Sequence, residues 1–325
     1  MEFIEAYQSA YLRFADAQLW DKTPLNLYHP IHYITEAAGK RIRPVLTLMA
    51  CEAFSKEYNQ ALPFSYAVEI FHNFTLMHDD IMDHAEKRRG LPSAHIQYGL
   101  PQAILSGDVM MIYAFTYLLN IENKEMANIA ARFFSEIAIG VCEGQQLDMD
   151  FESQAQVSID DYIQMITLKT SILLGASLQL GALAGGAGQD VQRQLFVFGK
   201  YIGIAFQIHD DILDVFGEVN KTGKKHAGDI INSKKTYLYL KSLELCTPEQ
   251  REKLIRYYTS ESVDIHEKIE YVTGIYKELA VLEYANLLKE AYLQLGKSHL
   301  QSLSVDNQVI TNLEKLADYL IERDY

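Results

Sequence analysis

A chain of 325 residues, 49% hydrophobic and 22% charged, carries enough apolar material for a large core, which excludes a disordered chain. Lys+Arg 29 against Asp+Glu 43 gives a net charge of −14, which argues against a nucleic-acid partner. The three cysteines, Cys51, Cys142 and Cys246, form no CxxC and read as small buried hydrophobes rather than a disulfide framework. The N-terminus shows no basic stretch before an apolar run, and no uninterrupted apolar stretch reaches about 18 residues. The expectation is no signal peptide, no transmembrane segment and a cytoplasmic location.

In chain order, apolar residues at three- and four-residue spacing predict helices near 3–19, 42–58, 62–88, 93–120, 123–150, 159–184, 189–216, 234–244, 248–259, 263–295 and 308–322. With 18 Gly and 7 Pro, breakers are few, and Pro30, Pro44, Pro63, Pro92, Pro101 and Pro248 fall near proposed helix starts or in connections. No strand alternation bounded by turn pairs is expected. Ser158-x-x-Asp161 and Thr247-Pro248-Glu249-Gln250 read as capping boxes. The Gly181–Gly188 stretch reads as a connection between helices. The segment near 217–233, with three Gly and three Lys, reads as a mobile active-site loop. No linker is visible, so residues 1–325 are expected to form one all-α domain, a helical bundle.

The most telling feature is a repeat. His78-Asp79-Asp80-Ile81-Met82-Asp83 returns as His209-Asp210-Asp211-Ile212-Leu213-Asp214. On a helix the first and last Asp of each copy share a face about one turn apart. The flanks, Phe71, Phe74, Met77 and Ile81 in one copy and Ile204, Phe206, Ile208 and Ile212 in the other, place both motifs on interior helices. Interior carboxylates that close repel, and divalent cations would neutralise them. Oxygen donors without nearby Cys suit Mg²⁺, which shares its sites with phosphates. Basic groups accompany them: Lys40 and Arg43 at a helix start, Arg88-Arg89 ending the first acidic helix, Lys169-Thr170 within an apolar helix, and Lys224 and Lys234-Lys235 bracketing the loop. The expectation is that the two acidic motifs meet at one cavity.

The motif order is GKRIRP, HDDIMD followed by RRGLPSAH, Gly107-Asp108, GQQLD over Gly144–Asp148, LKT over Leu168–Thr170, FQIHDDILD, and GDI with KKT. In this order the chain resembles the trans-isoprenyl diphosphate synthases of the polyprenyl synthetase family, and the resemblance covers about residues 36–240. It implies the isoprenoid synthase fold, a single-domain helical bundle around a deep central cavity, usually as a homodimer. It also implies head-to-tail condensation of isopentenyl diphosphate with an allylic diphosphate, using Mg²⁺, three ions with substrate bound. By motif, Asp79, Asp83 and Asp210 correspond to metal ligands, with Asp80, Asp211 and Asp214 in support. Lys40, Arg43, His72 and Arg89 correspond to the isopentenyl diphosphate site. Arg88, Lys169, Lys224 and Lys234 correspond to the allylic diphosphate site, and Thr170 and Gln207 line the reacting carbons. His78 and His209 are expected to orient the motifs, His95 to contact an anion, and His84 and His226 to lie at the surface. A bulky residue five before the first Asp acts as a chain-length floor, here Phe74, about 7.5 Å up the helix, with the small Thr75 beside it. That combination resembles geranylgeranyl diphosphate (C20) synthases, with farnesyl diphosphate (C15) or longer products as alternatives. Ala38, His84-Ala85, Ser233 and Tyr237 depart from the family pattern.

Other readings leave more unexplained. An HD-type phosphohydrolase would use His78 and His209 as ligands but not Asp83, Asp214 or the basic series. A class I terpene cyclase usually has a different second metal motif. A di-iron bundle needs two Glu-x-x-His, and only Glu69-x-x-His72 is found. A non-catalytic partner subunit predicts eroded Asp or Arg, and none is missing.

Overall fold

The computed structural model describes residues 2–37, 39–55, 57–217, 227–260, 263–303, 305 and 307–321. Lys224, His226 and Ala38 lie outside the described residues, as does much of the expected loop. Among the described residues the structure is helical apart from one two-stranded hairpin. In order come α1 (Glu2–Asp16), α2 (Leu25–Glu36), α3 (Ile42–Glu52), a 3₁₀ turn Asn59–Ala61, and α4 (Leu62–Met82). The hairpin β1 (Lys87–Arg88) and β2 (Leu91–Pro92) follows, then α5 (Ala94–Tyr98), α6 (Leu100–Leu119), α7 (Lys124–Ser153) and α8 (Ile159–Ile166). A π turn, Thr167–Ser171, leads into α9 (Ile172–Ala184) and then α10 (Gln189–Phe216). Helices Gly228–Ile231, Tyr237–Leu245, Pro248–Thr259, Ile265–Glu278, Val281–Gln301 and Asn307–Ile321 complete the described chain.

The chain divides into two compact units. Unit 1 is Met1–Ala138, Leu173–Phe196 and Leu303–Val309; unit 2 is Ile139–Ile172, Val197–Ser302 and Ile310–Tyr325. In unit 1, α4 is buried on most of its circumference, from Phe64 through Phe71 to Met77, and it packs against α3 and α6. Gly181 of α9 lies so close to the Thr47 carbonyl of α3 that a Cβ there would collide with it. In unit 2, Tyr162, Ile208, Leu238, Leu254, Val272 and Tyr276 form one core.

The differences from expectation have local causes. The first acidic helix does not run to 88. Asp83 is its C-cap, and His84 adopts a left-handed φ of 50°. The Ala85 N–H then bonds the Asp80 carbonyl at 2.9 Å and the His84 N–H the Ile81 carbonyl at 3.3 Å, a Schellman stop. Arg89 (φ 52°) and Gly90 (φ 80°) turn the hairpin, so Arg88 and Arg89 stand on a β-turn rather than on a helix end. Helix α2 escaped the sequence reading, with Pro30 inside it. The expected 263–295 helix breaks at Ala280, which has φ 52°. Both capping boxes are present. Of the cysteines only Cys51 is buried; Cys142 is exposed and Cys246 half-buried. Two stretches are long and apolar enough to cross a membrane, α6 and Ile159–Ala184, and 67% of the latter's apolar window is buried as in a core helix.

Candidate active site

In unit 1 the GKRIRP segment builds a basic pocket. Arg41 enters α3 in the left-handed region and points inward, where Nη1 meets Glu69 Oε1 at 2.8 Å and Nη2 donates to the Thr35 and Ala37 carbonyls. Glu69 thus answers Arg41. Arg43 Nε is buried and has no hydrogen-bond partner among the described residues. Burial pulls the Arg43 guanidinium down to about 10, with Arg89 adding to the fall against the opposing pull of Glu69. Arg89 packs over Gly39, where an added Cβ would sit 3.1 Å from its Cζ, and donates to the Ala37 carbonyl at 3.2 Å. Lys40 is exposed at the same corner. His72 is held well below the ordinary imidazole range by burial and by Arg43, Arg89, Arg88 and Arg41. Several cations around a neutral imidazole and an orphaned Arg43 Nε make a concentration of positive charge suited to a polyanion.

The first acidic motif ends the same helix. Asp80 is turned inward, and its Oδ1 accepts from Arg88 Nε at 2.9 Å and Nη2 at 2.6 Å. Asp80 Oδ2 is buried without a hydrogen-bond partner, and burial raises this carboxyl despite Arg88. Asp79 is half-buried and Asp83 exposed. Immediately before Asp79, His78 Nε2 lies 3.1 Å from the Ile104 carbonyl and fills the place a Cβ on Gly107 would take. Phe74, 7% exposed, stands 5.3 Å from Phe71 and 4.8 Å from His78 between ring centroids. Phe71 in turn meets Phe134 at 5.1 Å, so Phe74 belongs to an aromatic plug. Thr75 bonds its own helix at the His72 carbonyl.

Unit 2 holds the second acidic motif. Asp211 is buried, and its oxygens accept from Tyr162 Oη at 2.6 Å and Gln207 Nε2 at 2.9 Å. Burial pushes Asp211 up to about 7; those two hydrogen bonds oppose the rise, while Asp210 and Asp214 add to it. The Asp214 carboxylate accepts the Asp229 N–H at 2.8 Å and its carbonyl the Ala227 N–H at 2.8 Å, which pins the GDI turn to α10. The Thr170 hydroxyl donates to Gln207 Oε1 at 3.1 Å. Lys169 meets Asp148 at 2.7 Å, and Lys234 meets Asp148 at 3.3 Å and Glu152 at 2.8 Å. Burial alone would raise Asp148, but Lys169 and Lys234 hold it below the usual carboxylate range.

The π turn aims Lys169 and Thr170. A Cβ on Gly144 would strike the Lys169 backbone, and one on Gly203 would sit 2.6 Å from Ser171 Cα. These two glycines let neighbouring helices close on the turn. Ser233, with φ 55°, accepts from the buried Lys268 at 2.6 Å, so Lys234 is presented although Gly is absent there.

Arg41, Glu69, Asp148, Tyr162, Asp229 and Lys268 were not among the expected site residues. A charged Glu69 in an apolar run signals a buried partner, and Asp148 lies in the quoted GQQLD motif. Tyr162 reads as an ordinary core aromatic. Among the described residues, no three His, Cys, Asp or Glu side chains form a ready-made metal cage. Hard carboxylate oxygens crowded at Asp210, Asp211 and Asp214 still suit Mg²⁺, which is bound through a few carboxylates plus phosphates rather than by a full protein cage.

A polyprenyl synthetase family model matches residues 24–276, which draws on both units. The chain belongs to the polyprenyl synthetase family. It is 37% identical to a geranylgeranyl diphosphate synthase of Methanosarcina mazei over 303 residues, 93% of this chain and 91% of that protein. It is 36% identical to a geranylgeranyl pyrophosphate synthase of Geoglobus acetivorans over 310 residues, covering 94% of each. A crystal structure of a geranylgeranyl pyrophosphate synthase is similar with a TM-score of 0.94 at 36% identity, covering 99% of each chain.

A His72 depressed in the folded chain binds its proton less readily there than in the unfolded chain, whose value is about 6.5. Its contribution to stability is therefore full above that value and is lost as pH falls below it. Imidazole NMR should show neutral His72 well below pH 6.5 in the ligand-free protein and a raised titration point with pyrophosphate added. Ordinary titration, unmoved by pyrophosphate, would contradict the assignment.

Proposed function

We propose that this polyprenyl synthetase is a short-chain trans-prenyltransferase that condenses isopentenyl diphosphate with an allylic diphosphate to give geranylgeranyl diphosphate. The observation that carries this reading is the cluster of Arg43 and Arg89 beside His72, where among the described residues Glu69, already paired with Arg41, is the carboxylate that opposes the fall of Arg43. The full family series of acidic and basic motifs accompanies it. Relatives named for geranylgeranyl diphosphate support the product. The chain is read as one polyprenyl synthetase domain over 1–325, cytoplasmic, with no nucleic-acid partner and no membrane-spanning segment. Support for the single domain is a family match that runs unbroken through residues of both units.

Lys40, Arg43, His72 and Arg89 hold the diphosphate of isopentenyl diphosphate and so orient its double bond. Lys169, Lys234, Arg88 and, by the family pattern, Lys224 hold the allylic diphosphate. Asp79, Asp83 and Asp210 would hold Mg²⁺, with Asp214 beside them, while Asp80 and Asp211 are spoken for by Arg88 and by Tyr162 and Gln207. Bound there, Mg²⁺ supplies Lewis-acid neutralisation of the departing charge. The allylic C–O bond breaks, the isopentenyl double bond attacks the cation, and a proton is lost to the released diphosphate. Thr170 and Gln207 present uncharged dipoles to the cation. In the ligand-free protein Asp148 keeps Lys169 and Lys234 together, so both ammonium groups are placed before the anion arrives.

Phe74 is the proposed floor that stops growth at the C20 product. Wild-type protein given isopentenyl diphosphate, each allylic primer and Mg²⁺ should yield C20 product by chromatography, and Phe74→Ala should yield longer chains. Inactivity with every primer would move the protein to a non-catalytic partner role, and an unchanged product length would release Phe74 from its role.

A homodimer is the proposed assembly. Leu105, Ile112 and Leu119, at 57%, 61% and 53% exposure, line one stripe of α6 at seven-residue spacing, a face suited to a second copy. Sedimentation should give a dimer, and Ile112→Asp a monomer; a wild-type monomer at micromolar concentration would refute the assembly.

A further inference from the structure

Four side chains of unit 2 form a single hydrogen-bonded line: Tyr162, Asp211, Gln207 and Thr170. Tyr162 is 1% exposed, and its ring is fixed in the core beside Tyr237. Its hydroxyl donates to Asp211 Oδ2 at 2.6 Å. Asp211 Oδ1 accepts the Gln207 amide N–H at 2.9 Å, and the Gln207 carbonyl oxygen accepts from Thr170 at 3.1 Å. Both ends of the line are rigid. Tyr162 is packed on α8, and Thr170 stands on the π turn that Gly144 and Gly203 admit.

A glutamine amide has two chemically opposite ends, and its neighbours decide which way it faces. Asp211 Oδ1 takes the nitrogen end of Gln207, which leaves the oxygen end beside Thr170. We propose that Tyr162 is a positioning residue for prenyl transfer: through Asp211 it fixes the facing of the Gln207 amide. The inference rests on the prenyl-transfer reading given above. It also gives Asp211 a part distinct from that of Asp210. Asp211 orients an amide, and Asp210 answers the metal.

The chemical consequence follows from sign. A carbonyl oxygen turned toward an allylic cation stabilises it, and an N–H turned there does the reverse. In Tyr162→Phe the ring remains but the donor to Oδ2 is lost. The Asp211 carboxyl can then rotate, and Gln207 loses its fixed facing. The diphosphate-holding Lys and Arg are untouched, so binding of either substrate stays as it was.

The test is a double-mutant cycle on the full-length enzyme, with thermal melts to confirm that each variant is folded. Tyr162→Phe should lower kcat about tenfold, the equivalent of one charge-assisted hydrogen bond, with both KM values within about twofold. In a Gln207→Ala background the same change should lower kcat no further. Asp211→Asn, which keeps the volume, should show the same non-additivity and covers the case in which Tyr162→Phe does not fold. An active wild type whose kcat is unmoved by Tyr162→Phe overturns the inference, as does a loss that multiplies with that of Gln207→Ala. A wild type that condenses nothing overturns the prenyl-transfer reading itself and this inference with it.

Discussion

The structure is organised around like charges held close together in partly buried surroundings. In unit 1, Arg41 has Glu69 and Arg88 has Asp80, while the buried Arg43 Nε has no hydrogen-bond partner among the described residues, and His72 is lowered by burial and then by the arginines around it. In unit 2 the strain has the opposite sign. Asp210, Asp211 and Asp214 lie on one helix, and burial with like neighbours lifts Asp211 toward neutrality. Separating like charges from water is unfavourable, and a bound counter-charge relieves it. On the prenyl-transfer reading proposed above, a diphosphate would answer the arginines and a divalent cation the carboxylates.

The rest of the architecture serves to keep these groups in place. Left-handed backbone at Arg41, His84, Arg89, Ala227 and Ser233 marks the corners where charged segments are re-aimed. The π turn and its two glycines set Lys169 and Thr170 within a helix that would otherwise carry them out of line. The Phe151 carbonyl near the end of α7 and the Gln154 carbonyl just past it accept from Lys235, next to Lys234, which meets Asp148 and Glu152.

Helical periodicity was readable because apolar residues recur regularly, and 189–216 matches α10 residue for residue. The acidic and basic motifs were readable because their spacing is local. What the sequence concealed depends on long-range contact. The Schellman stop at Asp83 uses His84 where Gly is usual, so no breaker announces it, and the helix was expected to reach 88. The hairpin at Arg89-Gly90 has strands of two residues, too short for alternation to register. Tyr162 and Asp211 are 49 residues apart. Nothing in their local pattern separates a tyrosine that orients a carboxylate from one that fills a core. Arg41 lies between two expected anion ligands, yet the structure sends it to Glu69.

The most direct test of the charge argument is calorimetric titration of the ligand-free protein with inorganic pyrophosphate, with and without Mg²⁺. The account predicts two classes of binding: one independent of Mg²⁺ and abolished by Arg43→Ala, the other present only with Mg²⁺ and abolished by Asp210→Ala. A single class, indifferent to the metal and to both substitutions, would contradict it.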